Sequence, residues 1–227
     1  MAFNGVENVE YAFTHTENPK LKLLEVFDQK YLGGCLVFQS RELMGIVYAL
    51  EHNNSEHIML SAQELLDYLP KKFSEKHGRE DVTAPFSAPT RFIREYLTKY
   101  GICTETDYPF IGRRSQEDEI KEVDLLLKYK ASRVIRTKNS PTREAFILGE
   151  IQKHPLIGLL HSDQLLSYLK KGHAVMITGY GVVNGIPCYE IKNTWGNAWA
   201  NSGFGLVRRD AIHAFLSFEG VHIEAPL

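Results

Sequence analysis

The sequence is poor in cysteine. Three cysteines, Cys35, Cys103 and Cys188, stand in unrelated contexts with no CxxC pair, too few for a disulfide framework. A chain of 227 residues buries an adequate core without such staples. Charge of one sign is lacking too: 26 Lys and Arg against 28 Asp and Glu leave a formal net charge of −2. The broad basic surface of a duplex binder is absent, so no nucleic-acid partner is expected. Long apolar runs are missing, the best being pieces such as Pro155 to Leu160, far short of the roughly 18–20 residues of a membrane span. No membrane partner is expected. Met1 to Asn8 has neither a basic n-region nor an apolar h-region, so no signal peptide is visible. Repeats, low-complexity tracts and metal-ligand spacings are absent, and neither a metal nor a cofactor is expected. What is present is a globular balance of 44% hydrophobic and 24% charged residues.

From Cys35 the apolar positions Leu36, Leu43, Ile46, Val47 and Leu50 recur at helical spacing, predicting a helix of about five turns to His52. Gly33 and Gly34 supply a flexible turn into it. A second helix is expected over Ser61 to Leu69, with Ser61 and Glu64 at capping-box spacing and Pro70 beyond its end. Residues 71–89 read as a charged loop and turn. Thr90 to Lys99 predicts a third helix with Phe92, Ile93, Tyr96 and Leu97 inward. The alternating charges of Glu117 to Lys130 read as a solvated surface segment. Ser140 caps and Pro141 opens a fourth helix ending near Lys153 and His154. Short β-like runs follow at Pro155 to Leu160, His173 to Tyr180, Cys188 to Asn193 and Phe204 to Arg208. Helices first and strands second predict an α+β protein of two lobes. The helical lobe would cover about 28–120 and the β-rich lobe about 121–215, with 1–27 and 216–227 as terminal segments.

Three segments carry chemistry. Cys35 falls in the first turn of a long helix, where the positive end of the dipole favours a thiolate. His173, 138 positions later, opens a β-like run, and Asn193 follows Cys35 by 158 positions in Lys192-Asn193-Thr194-Trp195-Gly196. Such residues meet only through the fold. Taken singly, each has a plain structural reading: a core histidine, a turn asparagine, a buried thiol acting as a small hydrophobe.

Together, in this order and with these flanks, they resemble the papain family of cysteine proteases. Gln29 lies six residues before Cys35, as the family's oxyanion glutamine precedes its nucleophile. Leu60-Ser61-Ala62-Gln63-Glu64-Leu65-Leu66-Asp67, Tyr100-Gly101-Ile102 with Asp107-Tyr108-Pro109-Phe110, and Gly203-Phe204-Gly205 are similar to further family segments. The resemblance covers roughly residues 27–210. It implies a two-lobed α+β fold, with a helical left lobe, a β-barrel-like right lobe and the active-site cleft between them. It implies a thiol protease in which Cys35 attacks a peptide carbonyl and His173 pairs with the thiolate and protonates the leaving amine. Asn193 would orient the imidazole, Trp195 would shield that contact, and Gln29 with the Cys35 N–H would form the oxyanion hole. The partners implied are a peptide or protein substrate and a cystatin-like inhibitor, with the chain acting as a monomer.

The sequence also departs from the family. The cysteines that would form the left-lobe disulfides are replaced by Leu32 and Tyr68, and the residue after the nucleophile is Leu36 rather than tryptophan. Thr83 and Ala84 stand where the family's Gly-Gly edge pairs with substrate, and Gly172 precedes the histidine beside the groove. Only twelve residues separate Leu160 from His173, so part of the right-lobe wall is trimmed. No inhibitory propeptide is seen before residue 1. The absent disulfides and signal favour a reducing intracellular compartment, although the family is commonly lysosomal, vacuolar or secreted. Two functions are therefore open: a peptidase of narrow specificity or weak turnover, and an inactive papain-like protein that binds a partner or inhibitor through its groove.

Overall fold

The computed structural model describes residues 2–3, 9–16, 25–30, 32–54, 58–77, 89–165 and 172–226, with backbone alone at 2–3, 9 and 71–77. The groove positions Thr83 and Ala84 therefore lie outside the described residues. Two compact units divide the chain: residues 1–30 with 135–217, and residues 31–134 with 218–227. Where the sequence suggested two consecutive lobes, each unit thus takes a piece from the far end of the chain.

The helical unit is built on α1 (Cys35–Glu51), α2 (Ala62–His77) and α3 (Thr90–Lys99). Every residue of α1 from Cys35 to Ala49 is buried, the pattern of a helix enclosed on all sides. Helix α3 buries Phe92, Ile93, Tyr96 and Leu97, the face expected from its periodicity. Helix α2 corrects one expectation, because it runs through Pro70 to His77 instead of stopping before it. A mid-helix proline leaves the carbonyl four residues earlier without its donor. Here the Leu66 carbonyl accepts from Arg114 Nε at 3.2 Å, so the missing bond is replaced from outside the helix.

The capping box is half formed. Ser61 Oγ accepts from the Glu64 N–H at 3.0 Å, but the Glu64 carboxylate turns away from the helix start. Fully buried, it accepts from the Cys103 N–H at 2.8 Å, from Tyr96 Oη at 3.0 Å and from Lys128 Nζ at 2.5 Å. One carboxylate thus joins α2, α3 and the strand that starts at Lys128. That strand begins inside the segment expected to be solvated surface, and Val123 and Tyr129 are buried there. Tyr68, where the family would place a half-cystine, donates instead to the Lys121 carbonyl at 2.6 Å. All three cysteines are buried, and none forms a disulfide.

The β-rich unit contains β1 (Ala2–Phe3), β2 (Val9–Thr14), β4 (Leu156–His161), β5 (Gly172–Val183), β6 (Ile186–Lys192) and β7 (Phe204–Arg208). β3 (Lys128–Lys138) and β8 (Ala214–Glu224) have residues in both units. The sheet order is β1-β7-β6-β5-β4-β8-β3, with β2 also on β5, and the described sheet is open rather than closed on itself. Along one edge of β5, residues 172–177 pair with β4 and residues 179–183 with β2. Glycine makes the second pairing possible: a Cβ at Gly181 would stand 2.4 Å from the Glu10 carbonyl oxygen. Helix α4 (Glu144–Lys153), preceded by a 3-10 turn at Pro141–Arg143, packs Ile147 and Ile151 into a core with Leu156, Leu160, Ile177 and Ile191. Ser140 precedes that turn without a side-chain cap, so the helix proper starts later than its serine and proline suggested.

Candidate active site

The β-rich unit brings Gln29, His173, Asn193 and Trp195 together. His173 is the second residue of β5, and Asn193 directly follows β6, which pairs with β5 from Met176–Lys192 onward. The imidazole is buried, and its Nε2 lies 2.8 Å from Asn193 Oδ1. The same oxygen accepts from the Thr194 N–H at 2.8 Å, which identifies it as the carbonyl end of the amide. A carbonyl oxygen only accepts, so His173 Nε2 carries the hydrogen, and in the neutral ring Nδ1 holds the lone pair. The basic nitrogen is thus fixed by a contact on the opposite side of the ring.

Burial pushes the His173 imidazole down to about 4, against the opposing pull of its bond to Asn193. Trp195 lies beside the imidazole with ring centroids 4.7 Å apart, and Trp199 packs edge-on to Trp195 at 6.0 Å. The N–H of Asn193 donates to the Gly203 carbonyl at 2.9 Å, pinning the backbone from which this asparagine projects. Among the described residues, the buried Asn193 Nδ2 has no hydrogen-bond partner.

Gln29 is held by the segment just after Asn193. Its N–H donates to the Thr194 carbonyl at 2.8 Å, and Asp28 and Trp195 form an isolated β-bridge. The Thr194 hydroxyl donates to Gln29 Oε1 at 2.5 Å. With its oxygen committed to Thr194, the amide presents its NH2 on the other side. Sequence reading missed Thr194, and its only signal was its place between Asn193 and Trp195. The chain then turns at Lys30, whose φ of 47° is costly for a residue with a Cβ. The Asp28 carboxylate accepts the Lys30 N–H at 2.9 Å and holds that turn.

In the helical unit Cys35 is the first residue of α1, following Gly34. No side chain caps this helix, and no acidic residue occupies its first turn. The N-terminal N–H groups therefore bias the site toward a thiolate. The other two thiols are pushed the opposite way: burial raises both, and the Glu64 carboxylate adds to the effect at Cys103. Gly172 is the first residue of β5, and among the described residues nothing lies within 4 Å of where its Cβ would be. Among the described residues, no group of three or more His, Cys, Asp or Glu is arranged to hold a metal ion.

Residues 12–218 match the family model described as papain family cysteine protease. A cysteine protease of Blomia tropicalis is 25% identical over 205 residues, covering 84% of this chain and 59% of that protein. A viral cathepsin of Lymantria dispar multicapsid nuclear polyhedrosis virus is 27% identical over 203 residues, 83% of this chain and 52% of its own. The chain thus spans between half and three-fifths of the length of these relatives. The crystal structure of a Carica candamarcensis cysteine protease in complex with E-64 has a TM-score of 0.65 at 19% identity, covering 92% of this chain and 98% of that one. At that identity the likeness is one of fold.

Proposed function

The chain belongs to the papain family of cysteine proteases, and from that premise we propose that it is a cysteine peptidase in which Cys35, His173, Asn193 and Gln29 act together. The observation that carries this reading is the double use of Asn193 Oδ1, which fixes the His173 tautomer. Nδ1 is then the nitrogen that takes the proton of the Cys35 thiol. A buried imidazole resists a proton on its own, so the charge is tolerable only beside an anion. The thiolate supplies one, and the pair titrates as a unit. The sulfur attacks the peptide carbonyl, and the negative charge that develops on oxygen is met by the Gln29 NH2 and the Cys35 N–H. Nδ1–H protonates the departing amine and leaves a thioester. Nδ1 then accepts a proton from water as the water attacks, the C–S bond breaks, and the acid is released. Trp195 keeps water from the bond between His173 and Asn193.

The substrate is a peptide or protein, and an epoxide of the E-64 type is the expected active-site reagent. The test compares hydrolysis of a mixed peptide library by wild type and Cys35→Ala, with alkylation by iodoacetamide mapped to each cysteine. We expect turnover in wild type, none in Cys35→Ala, and labelling of Cys35 ahead of Cys103 and Cys188. Cleavage that survives in Cys35→Ala, or equal labelling of all three thiols in the folded protein, refutes the assignment. Wild type that binds library peptides but cleaves none would be the inactive binding protein instead.

A further inference from the structure

The cations of β3 differ in how they are used. Lys128 pairs with Glu64, Lys130 with Glu224 and Arg133 with Glu219. Arg136 is exposed and, among the described residues, has no acidic partner. Its charge acts on His213, just before β8, and His213 in turn lies against His161, at the end of β4; both imidazoles are exposed. The two imidazoles stack with centroids 5.5 Å apart and planes 29° from parallel. The charges felt by His213 are those of His161 and Arg136, and both oppose its protonation.

The sheet register places this cluster. Leu160 is opposite His173, and His161 is opposite Gly172. Directly opposed residues of an antiparallel pair project on the same face. His161 therefore flanks the open space that Gly172 leaves by having no side chain. His213 reaches the same corner from the other side of β4, its N–H donating to the Leu159 carbonyl at 2.9 Å. A side chain lying over Gly172 meets His161 first, with His213 behind it.

We infer that His161, His213 and Arg136 form a carboxylate-recognising site beside Gly172, which selects peptides carrying a glutamate or aspartate near the scissile bond. This rests on the reading of the chain as a peptidase whose substrate passes Gly172. Arg136 offers a constant charge and a planar pair of donors, while the histidines add charge only once protonated. His213 sits below the ordinary histidine value because partial burial, His161 and Arg136 all disfavour its charged form. A bound carboxylate reverses the local balance and raises it. Selection for an acidic side chain therefore strengthens on mild acidification, down to the pH at which the substrate carboxyl itself is protonated, near 4.

The experiment uses peptide pairs that differ only in Glu against Gln, placed in turn at each residue flanking the scissile bond. The Glu-to-Gln ratio of kcat/KM is measured at pH 5 and pH 8. For wild type, at one position, we expect a ratio on the order of ten at pH 5, falling by pH 8 to the smaller preference that Arg136 alone sustains. In His161→Gln, His213→Gln and Arg136→Gln the pH 5 ratio should fall toward one. A ratio independent of pH at every position, or one unchanged in all three variants, overturns the inference. A second measurement separates this outcome from failure of the peptidase reading. In the Cys35→Ala protein, NMR titration of the His213 ring protons with the Glu peptide should raise its pKa, and the Gln peptide should not. If wild type cleaves nothing, the peptidase reading falls, and equal titration with both peptides would overturn the site as well.

Discussion

Replacing Thr194 by valine removes one hydroxyl and little else, and it tests how the oxyanion donor is set. In the native protein that hydroxyl donates to Gln29 Oε1 at 2.5 Å, and Gln29 is buried. A net hydrogen bond of about 1–1.5 kcal/mol biases the amide roughly tenfold toward the orientation that presents NH2 to the substrate oxygen. Valine withdraws that bias and leaves a desolvated oxygen at a cost of about 1–3 kcal/mol, which rotation of the amide relieves. The rotated amide meets the developing negative charge with its own oxygen. We therefore expect Thr194→Val to lower kcat by on the order of tenfold, with the 10²–10³ loss typical of a deleted oxyanion donor as the ceiling. Thr194→Ser, which keeps the hydroxyl, should restore most of it. Alkylation of Cys35 by iodoacetamide develops no oxyanion, so its rate should stay the same in both variants. A Thr194→Val enzyme with kcat within twofold of wild type refutes this account, as does one in which alkylation slows in step with turnover.

The pH dependence of folding stability has a definite sign. With Cys35 replaced by alanine no thiolate faces His173, and burial holds the folded imidazole at about 4 against about 6.5 when unfolded, so above pH 6.5 it contributes nothing either way. As pH falls through that window the unfolded chain takes up the proton first, and the folded state loses up to about 3 kcal/mol. His15 and His213, both lowered chiefly by burial, act in the same direction. Urea denaturation of Cys35→Ala at pH 7 and pH 4.5 should show this loss, and adding His173→Gln should remove part of it; an unchanged slope counts against a buried neutral imidazole. In the helical unit, Lys128→Met leaves the Glu64 carboxylate buried without its cation. It should cost about 3–5 kcal/mol in chemical denaturation, and a loss below 1 kcal/mol would show that Tyr96 and the Cys103 N–H suffice.

The parts of the fold legible in the sequence were those whose signal is local. Helix α3 follows from the spacing of Phe92, Ile93, Tyr96 and Leu97, and β5 to β7 from short β-branched and apolar runs bounded by glycine and asparagine. The end of α2 was not legible, because what lets it pass Pro70 is Arg114, 48 residues from the carbonyl it serves. β2 was hidden for a similar reason. The strand Val9–Thr14 is short, its side chains from Glu10 to Ala12 are exposed, and what holds it is β5, whose glycines leave room for its backbone.

The candidate site divides along the same line. Cys35, His173, Asn193 and Gln29 announce themselves through short flanking motifs, because the nucleophile, base and amides proposed for them each need a fixed local backbone. Thr194 and Glu190 do not. Thr194 matters only because residue 29 lies across from it. Glu190 is buried on β6 and accepts from Thr14 and Thr178, at 2.5 and 2.8 Å, so it ties β2 and β5 together at the irregularity in the β5–β6 register. That irregularity lies between Ile177 and Gly179, a few residues along the strand that carries His173. The imidazole is thus oriented at its tip by Asn193, while its strand is fixed further along by the Glu190 carboxylate. A motif specifies the groups that react, whereas the contacts that hold them still are spread over residues 14, 178, 190 and 194 and become visible only when the strands are paired.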